Sequence, residues 1–215
     1  MRKSHEPILE TNQADVLESN ISKQQETPVK EPAPRETLGC GGYNIWFVWL
    51  LLNLVGMGIG WALGWRLSFV APGTIATWVI GSVSGAILGL FQWLHLRIVI
   101  NLSPLWILYS LLSWAVGFFL GAQVASVLGL TEFAFGVAIG AILGLILGIS
   151  QWLLLRSKFS GAGWWIIFNM VAWSSSLVVY LPGANAMGLL YGGVSGAITG
   201  LALLGLRFKI FQSGH

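Results

Sequence analysis

Residues 81–97 read GSVSGAILGLFQWLHLR, and residues 140–156 read GAILGLILGISQWLLLR. Each stretch is mostly apolar, carries glycine at every fourth position, and ends in a glutamine, a tryptophan and an arginine. A helix needs about 20 apolar residues to cross the ~30 Å hydrocarbon layer of a bilayer. These stretches therefore predict membrane-spanning helices that end at a membrane surface.

Runs of similar length and polarity occupy most of the chain. Of its residues, 55% are hydrophobic and only 9% are charged, which excludes an ordinary soluble protein. Breaks rich in Pro, Gly, Asn and charge separate six apolar runs, at about 45–65, 74–96, 105–128, 133–155, 164–181 and 187–206. The prediction is an all-α integral membrane domain of about six transmembrane helices over residues 40–215.

The first 39 residues differ sharply from the rest. They hold 12 of the 19 charges and no aromatic residue. Such a composition cannot form a packed core, so residues 1–39 are predicted to be a disordered tail. A polar start does not resemble a signal peptide, and cleavage is not expected.

The positions of the basic residues predict the orientation. The tail and the segments after the even-numbered helices carry Arg35, Arg97, Arg156, Lys158, Arg207 and Lys209, whereas the other side has only Arg66 and the acid Glu132. By the positive-inside rule the N- and C-termini are cytoplasmic.

An internal repeat divides the membrane domain. Residues 85–114 and 144–173 align without a gap at an offset of 59 residues, with 12 identities in 30 positions. A third, weaker copy is indicated by residues 195–201, SGAITGL, which echo residues 84–90, SGAILGL. The repeat unit is a helical hairpin, at about 45–97, 105–156 and 164–207, and the three hairpins surround a pseudo-threefold axis or stand in a row.

The glycines form one face on each even-numbered helix, because residues four apart lie on the same side. Such a face lets a neighbouring backbone approach closely. We predict helix packing there, with a permeation path lined by small residues as the alternative. The series are Gly81, Gly85 and Gly89; Gly136, Gly140, Gly144 and Gly148; and Gly192, Gly196 and Gly200.

Five further side chains are candidates for ligand binding. Gln92 and Gln151 follow the last glycine of their series by three residues, and they can bond to a neighbouring helix or hold a ligand. His95 could coordinate a metal, haem iron or chlorophyll magnesium. Trp114 and Trp173 lie about 12 Å inside their helices and are either packing residues or faces for a flat hydrophobic ligand.

The other tryptophans are interpreted as interfacial belts. One group marks the cytoplasmic boundary: Trp46, Trp49, Trp93, Trp106, Trp152, Trp164 and Trp165. A second group marks the opposite boundary: Trp61, Trp65 and Trp78.

Chemical motifs are missing from the sequence. No Asp, Glu, Lys or Arg lies inside a predicted span, and the chain has no phosphate-binding loop, metal-ligand cluster or Ser-His dyad. We therefore expect no enzymatic activity, no metal, no cofactor and no nucleic-acid partner. The expected partners are the lipid bilayer and other membrane proteins or further copies of the chain. The preferred function is a structural, interaction or assembly role in a membrane complex, and the alternatives are a passive channel or carrier for an uncharged solute, or a pigment binder.

The motif Gln151-Trp152-Leu153-Leu154-Leu155-Arg156, preceded by spaced glycines and followed by Gly163-Trp164-Trp165, resembles a group of uncharacterised bacterial membrane proteins, mainly cyanobacterial. The resemblance covers about residues 75–207. It implies a six-helix protein of a plasma or thylakoid membrane and brings no established activity with it.

Overall fold

The computed structural model describes residues 38–177 and 184–212, with side chains placed at 44–177 and 186–206. These ranges contain six α-helices and no strand, which confirms the predicted all-α class. We number the helices α1 to α6 in chain order: Leu38–Ser68, Thr74–Ile100, Leu105–Val127, Glu132–Leu155, Trp164–Leu177 and Ala184–Gln212. The first helix begins two residues inside the predicted tail, and residues 1–37 of that tail lie outside the described residues.

Five of the helices contain a segment long and apolar enough to cross a membrane. The segments lie in α1, α2, α3, α4 and α6: Asn44–Ser68, Thr74–Ile100, Leu105–Val127, Glu132–Leu155 and Ala186–Leu206. The helix α5 has 14 described residues, about 21 Å at 1.5 Å per residue. Residues 178–181 of the predicted fifth span lie outside the described residues.

The helix ends follow local sequence signals. Asn101 caps the C-terminus of α2 with φ 50°, a left-handed conformation that asparagine tolerates better than most residues. Pro104 then precedes the first residue of α3. At the other end of α3, Gly129 adopts φ 63° and stops the helix. The connections are therefore short, and consecutive helices run antiparallel.

The six helices form a closed ring. Each helix from α2 to α5 packs against the next one in the chain. The ring closes on both sides of α1, because Gly60 of α1 lies against Ser84 of α2 and Gly192 of α6 lies against Asn53 of α1. Of the two predicted arrangements, the structure has the hairpins around an axis and not in a row.

Two buried apolar clusters fill the ring, and both draw side chains from all six helices. The first cluster includes Trp49, Leu96, Trp106, Leu155, Trp165 and Leu203, one residue from each helix. The second contains Met57, Leu88, Trp114, Leu147, Trp173 and Tyr191, with neighbours. The first cluster lies toward the end of the ring that carries Arg97 and Arg156, which we call the basic end.

Candidate functional site

A layer of buried polar side chains separates the two apolar clusters. Gln92 lies between Leu88 of one cluster and Leu96 of the other, one helical turn from each. The same spacing places a polar residue between the clusters on α1, α3, α4 and α5. We call this set the amide layer: Asn53, Gln92, Ser110, Gln151, Asn169 and Thr199, all 4% exposed or less.

Buried tryptophans donate hydrogen bonds to this layer. Trp106 Nε1 donates to Gln92 Oε1 at 3.1 Å, and Trp165 Nε1 donates to Gln151 Oε1 at 2.9 Å. Trp49 Nε1 donates to Thr199 Oγ1 at 3.0 Å. An indole N–H that is buried without an acceptor is costly, and these acceptors remove that cost for Trp49, Trp106 and Trp165.

The side-chain amide nitrogen of each glutamine donates a hydrogen bond to the helix that precedes it in the chain. Gln92 Nε2 donates to Asn53 Oδ1 at 2.8 Å, and Gln151 Nε2 donates to Ser110 Oγ at 3.1 Å. Each glutamine therefore joins three helices: its own, the preceding one and the following one. This is the interhelical clamp considered from the sequence.

The asparagines and the threonine of the layer also donate hydrogen bonds to backbone carbonyls of their own helices. Asn53 Nδ2 donates to the Trp49 carbonyl and Asn169 Nδ2 to the Trp165 carbonyl, each at i−4. Thr199 Oγ1 donates to the Ser195 carbonyl at 2.7 Å. These bonds satisfy polar groups at a depth where water does not reach.

The three hairpins can also be aligned by the helix contacts of their glycines, and this alignment differs from the sequence alignment in the third hairpin. A Cβ built on Gly89 would meet Ile107, one on Gly148 would meet Ile166, and one on Gly196 would meet Leu50. By these contacts Gly196 corresponds to Gly89. The sequence repeat paired Gly196 with Gly85 instead, so the two alignments differ by one helical turn. With this register Thr199 takes the place of Gln92 and Gln151, which sequence comparison missed because a threonine does not resemble a glutamine.

Nine of the ten glycines of the packing prediction lie at close contacts between helices. A Cβ on Gly144 would lie 2.5 Å from the Asn169 carbonyl oxygen, and one on Gly81 would lie 2.8 Å from the Trp114 carbonyl oxygen. The others are similarly close to a neighbour: Gly85, Gly89, Gly140, Gly148, Gly192, Gly196 and Gly200. Neighbouring helices therefore cover these glycine faces, as the packing prediction requires.

Trp114 and Trp173 pack against each other. Their ring centroids are 4.7 Å apart and the rings are almost perpendicular, at 88°. Both are at most 1% exposed, and neither indole N–H has a hydrogen-bond partner among the described residues. The edge-to-face contact leaves no gap between them for a flat ligand.

His95 lies at the edge of the first cluster. Its ring centroid is 6.2 Å from that of Trp49, and its Nε2 atom is buried without a hydrogen-bond partner among the described residues. A metal would need further ligands. No group of three or more His, Cys, Asp or Glu side chains occurs in the described part of the chain.

The interfacial-belt interpretation is wrong for four tryptophans. Trp49, Trp61, Trp106 and Trp165 are 4% exposed or less and point into the ring. Trp164, by contrast, is 60% exposed, as a belt residue is expected to be. Position along a helix indicates depth in the membrane, but the inward or outward direction depends on the neighbouring helices.

The chemistry of this site is limited to hydrogen bonding. The amide layer contains carboxamides and hydroxyls, which neither titrate near neutral pH nor act as nucleophiles without a base. What the arrangement does is hold six helices in one register. The protein-family models, the curated proteins and the solved structures compared with the chain contain no match.

Proposed function

We propose that the chain is a non-enzymatic multi-pass membrane protein with a structural, interaction or assembly role in a membrane complex. The observation that carries this proposal is the use of interior polar groups: the carboxamides of Gln92 and Gln151 bond to other helices of the same chain. Such groups are occupied by folding and are not presented to a substrate.

The filled interior favours this role over a passive channel or carrier. Trp49, Trp106, Trp114, Trp165 and Trp173 are at most 1% exposed and belong to clusters that reach all six helices. A solute path along the axis would have to displace these rings. The proposal therefore assigns the function to the outer surface and the segments outside the ring.

The outer surface has the composition that lipid or membrane-protein partners require. Large apolar side chains are exposed on all six helices; examples are Leu51, Ile98, Leu112, Ile149, Ile167 and Leu201. Lipid tails are as apolar as leucine, so hydrophobicity does not distinguish a protein partner from lipid at this surface. Close packing selects the partner instead.

We further propose that the chain lies in a bacterial plasma or thylakoid membrane, with both termini cytoplasmic.

Purification from the native membrane in mild detergent tests the proposal. We expect the full-length tagged chain to co-purify with a stoichiometric membrane protein or with further copies of itself. The same tag on an unrelated multi-pass protein is the control. A lone chain that conducts an uncharged solute in liposomes would overturn the proposal in favour of the channel.

A further inference from the structure

Two arginines at the basic end are held over tryptophan rings. The Cζ atom of Arg97 lies 5.0 Å from the ring centroid of Trp93, and that of Arg156 lies 5.3 Å from that of Trp152. The two pairs occupy the same positions in the two copies of the QWxxLR motif. In both pairs the arginine follows the tryptophan by four residues, so that the guanidinium covers the ring one turn away.

The tryptophan of the first pair is itself anchored. Trp93 Nε1 donates to the Leu102 carbonyl at 3.1 Å, across the connection between α2 and α3. The guanidinium of Arg97 therefore lies over a ring that is fixed to the connection. A guanidinium has five N–H donors in a planar fork, and the attraction of the cation to a ring face leaves these donors available for an anion.

The basic end lacks a carboxylate from its own helices. Among residues 40–215 the one acid is Glu132, and it starts α4 at the opposite end from Arg156. Arg97 and Arg156 are both exposed, and Lys158 adds a third exposed cation close to Arg156. An exposed guanidinium that lies over a tryptophan ring at the end of a membrane helix can bind an anionic oxygen at the same depth in the membrane.

We propose that Arg97 with Trp93, and Arg156 with Trp152, each bind the phosphate of an anionic phospholipid headgroup. The guanidinium donates hydrogen bonds to the phosphate oxygens, while the indole contacts the start of the acyl chains at the interface. The occupant is a lipid and not a free anion. The outer faces of these helices are exposed to acyl chains, so the arginines at the helix ends lie where lipid headgroups are concentrated.

Lipid retention by the full-length protein tests the proposal. The purified chain is reconstituted in nanodiscs of phosphatidylcholine with a minor fraction of phosphatidylglycerol, and the lipids that remain bound after transfer to detergent are counted by native mass spectrometry. We expect enrichment of phosphatidylglycerol. Arg97→Gln and Arg156→Gln should each weaken it by about fivefold, the usual effect of one basic residue near an anionic surface.

Matched variants separate this site from general electrostatics. Arg66→Gln removes an exposed arginine at the opposite end and should leave the enrichment unchanged. Melting in pure phosphatidylcholine should be equal for all variants, which shows that they are folded. Equal binding of both lipids by the wild type would overturn the proposal, as would full enrichment in the Arg97→Gln/Arg156→Gln double variant.

A titration with inorganic phosphate distinguishes binding of a free phosphate ion from binding of a lipid phosphate. Titration of phosphate into the detergent-solubilised protein should leave its melting temperature unchanged, whereas phosphatidylglycerol should raise it. A phosphate effect that is as large as the lipid effect and is lost in the double variant would contradict the lipid assignment.

Discussion

At the level of single residues, the two glutamines of the amide layer connect more helices than any other side chain of that layer. Each accepts one indole N–H and donates to a second helix, so it pairs groups from three helices at once. Hydrogen bonds between membrane helices are worth about 0.6 to 2 kcal/mol each. Loss of a glutamine also leaves a buried indole donor unpaired, which adds to the cost.

Gln151→Leu should therefore destabilise the protein by about 1 to 3 kcal/mol, because Trp165 Nε1 loses its acceptor and stays buried. Thermal melting in detergent measures the effect. Leu153→Ala, at a side chain that is 40% exposed two residues away, is the control and should cost less. An unchanged melting temperature for Gln151→Leu would show that the clamp contributes nothing.

Two tryptophans of α5 offer a matched comparison. The N–H of Trp165 donates to Gln151, whereas that of Trp173 has no partner among the described residues. Phenylalanine keeps an aromatic ring and removes the N–H, so Trp165→Phe should destabilise more than Trp173→Phe. Melting of the two variants side by side checks the order, and the reverse order would contradict the hydrogen-bond assignment.

At the scale of helices, the glycine faces determine how closely neighbours approach. Gly192 of α6 packs against the Asn53 carbonyl of α1, and a Cβ at that position would also lie 2.7 Å from Cβ of Met57. The next residue, Gly193, has ordinary space, since its Cβ would lie 3.7 Å from Leu54 Cδ1. The two adjacent glycines therefore differ in what they tolerate.

Gly192→Ala should separate α6 from α1 and cost about 1 to 3 kcal/mol through lost packing and strain. Gly193→Ala should be neutral or slightly stabilising, because alanine has the higher helix propensity. Detergent melting of the pair gives the result, and equal melting temperatures would count against the close seam.

Larger substitutions extend the test to the other faces. Gly85→Leu, Gly144→Leu and Gly196→Leu should all reduce thermal stability or abundance, because each position faces a neighbouring helix at contact distance. If the glycines lined a solute path, these variants would fold normally and block transport. Unchanged melting in all three would refute the packing assignment.

At the scale of the whole molecule, closure of the ring depends on the contact between the first helix and the last. Residues that are far apart in sequence meet there: Trp46 Nε1 donates to the Ala197 carbonyl at 3.1 Å, and Trp49 to Thr199. This seam joins the least similar copy of the hairpin to the beginning of the domain.

Cysteine crosslinking tests ring closure directly. With Cys40 replaced by serine, Leu54→Cys and Gly193→Cys in one chain should form an intramolecular crosslink, detected as a shift in electrophoretic mobility. The single variants are the controls. A double variant that crosslinks only between chains would favour domain swapping or a row of hairpins over the closed ring.

The helical class, most span boundaries and the glycine faces could be predicted from the amino-acid sequence alone, because hydrophobicity and four-residue spacing are local properties of the chain. The clamp role of Gln92 and Gln151 could be considered from the sequence, but their acceptor and donor partners could not be identified. Those partners lie on other helices, and the tryptophan that donates to each glutamine is 14 residues away in the chain, whereas the adjacent tryptophan does not bond to it.

The direction of the tryptophan side chains, the register of the third hairpin and the closure of the ring became visible in the folded chain alone. An indole suits the membrane interface and a buried site with an acceptor equally well, so its position along a helix does not distinguish the two. Thr199 replaces a glutamine because its hydroxyl accepts from Trp49 as the glutamines accept from Trp106 and Trp165, an equivalence of geometry that residue identity does not reveal. Which helix faces which neighbour is a property of the assembled ring and is absent from any one of its segments.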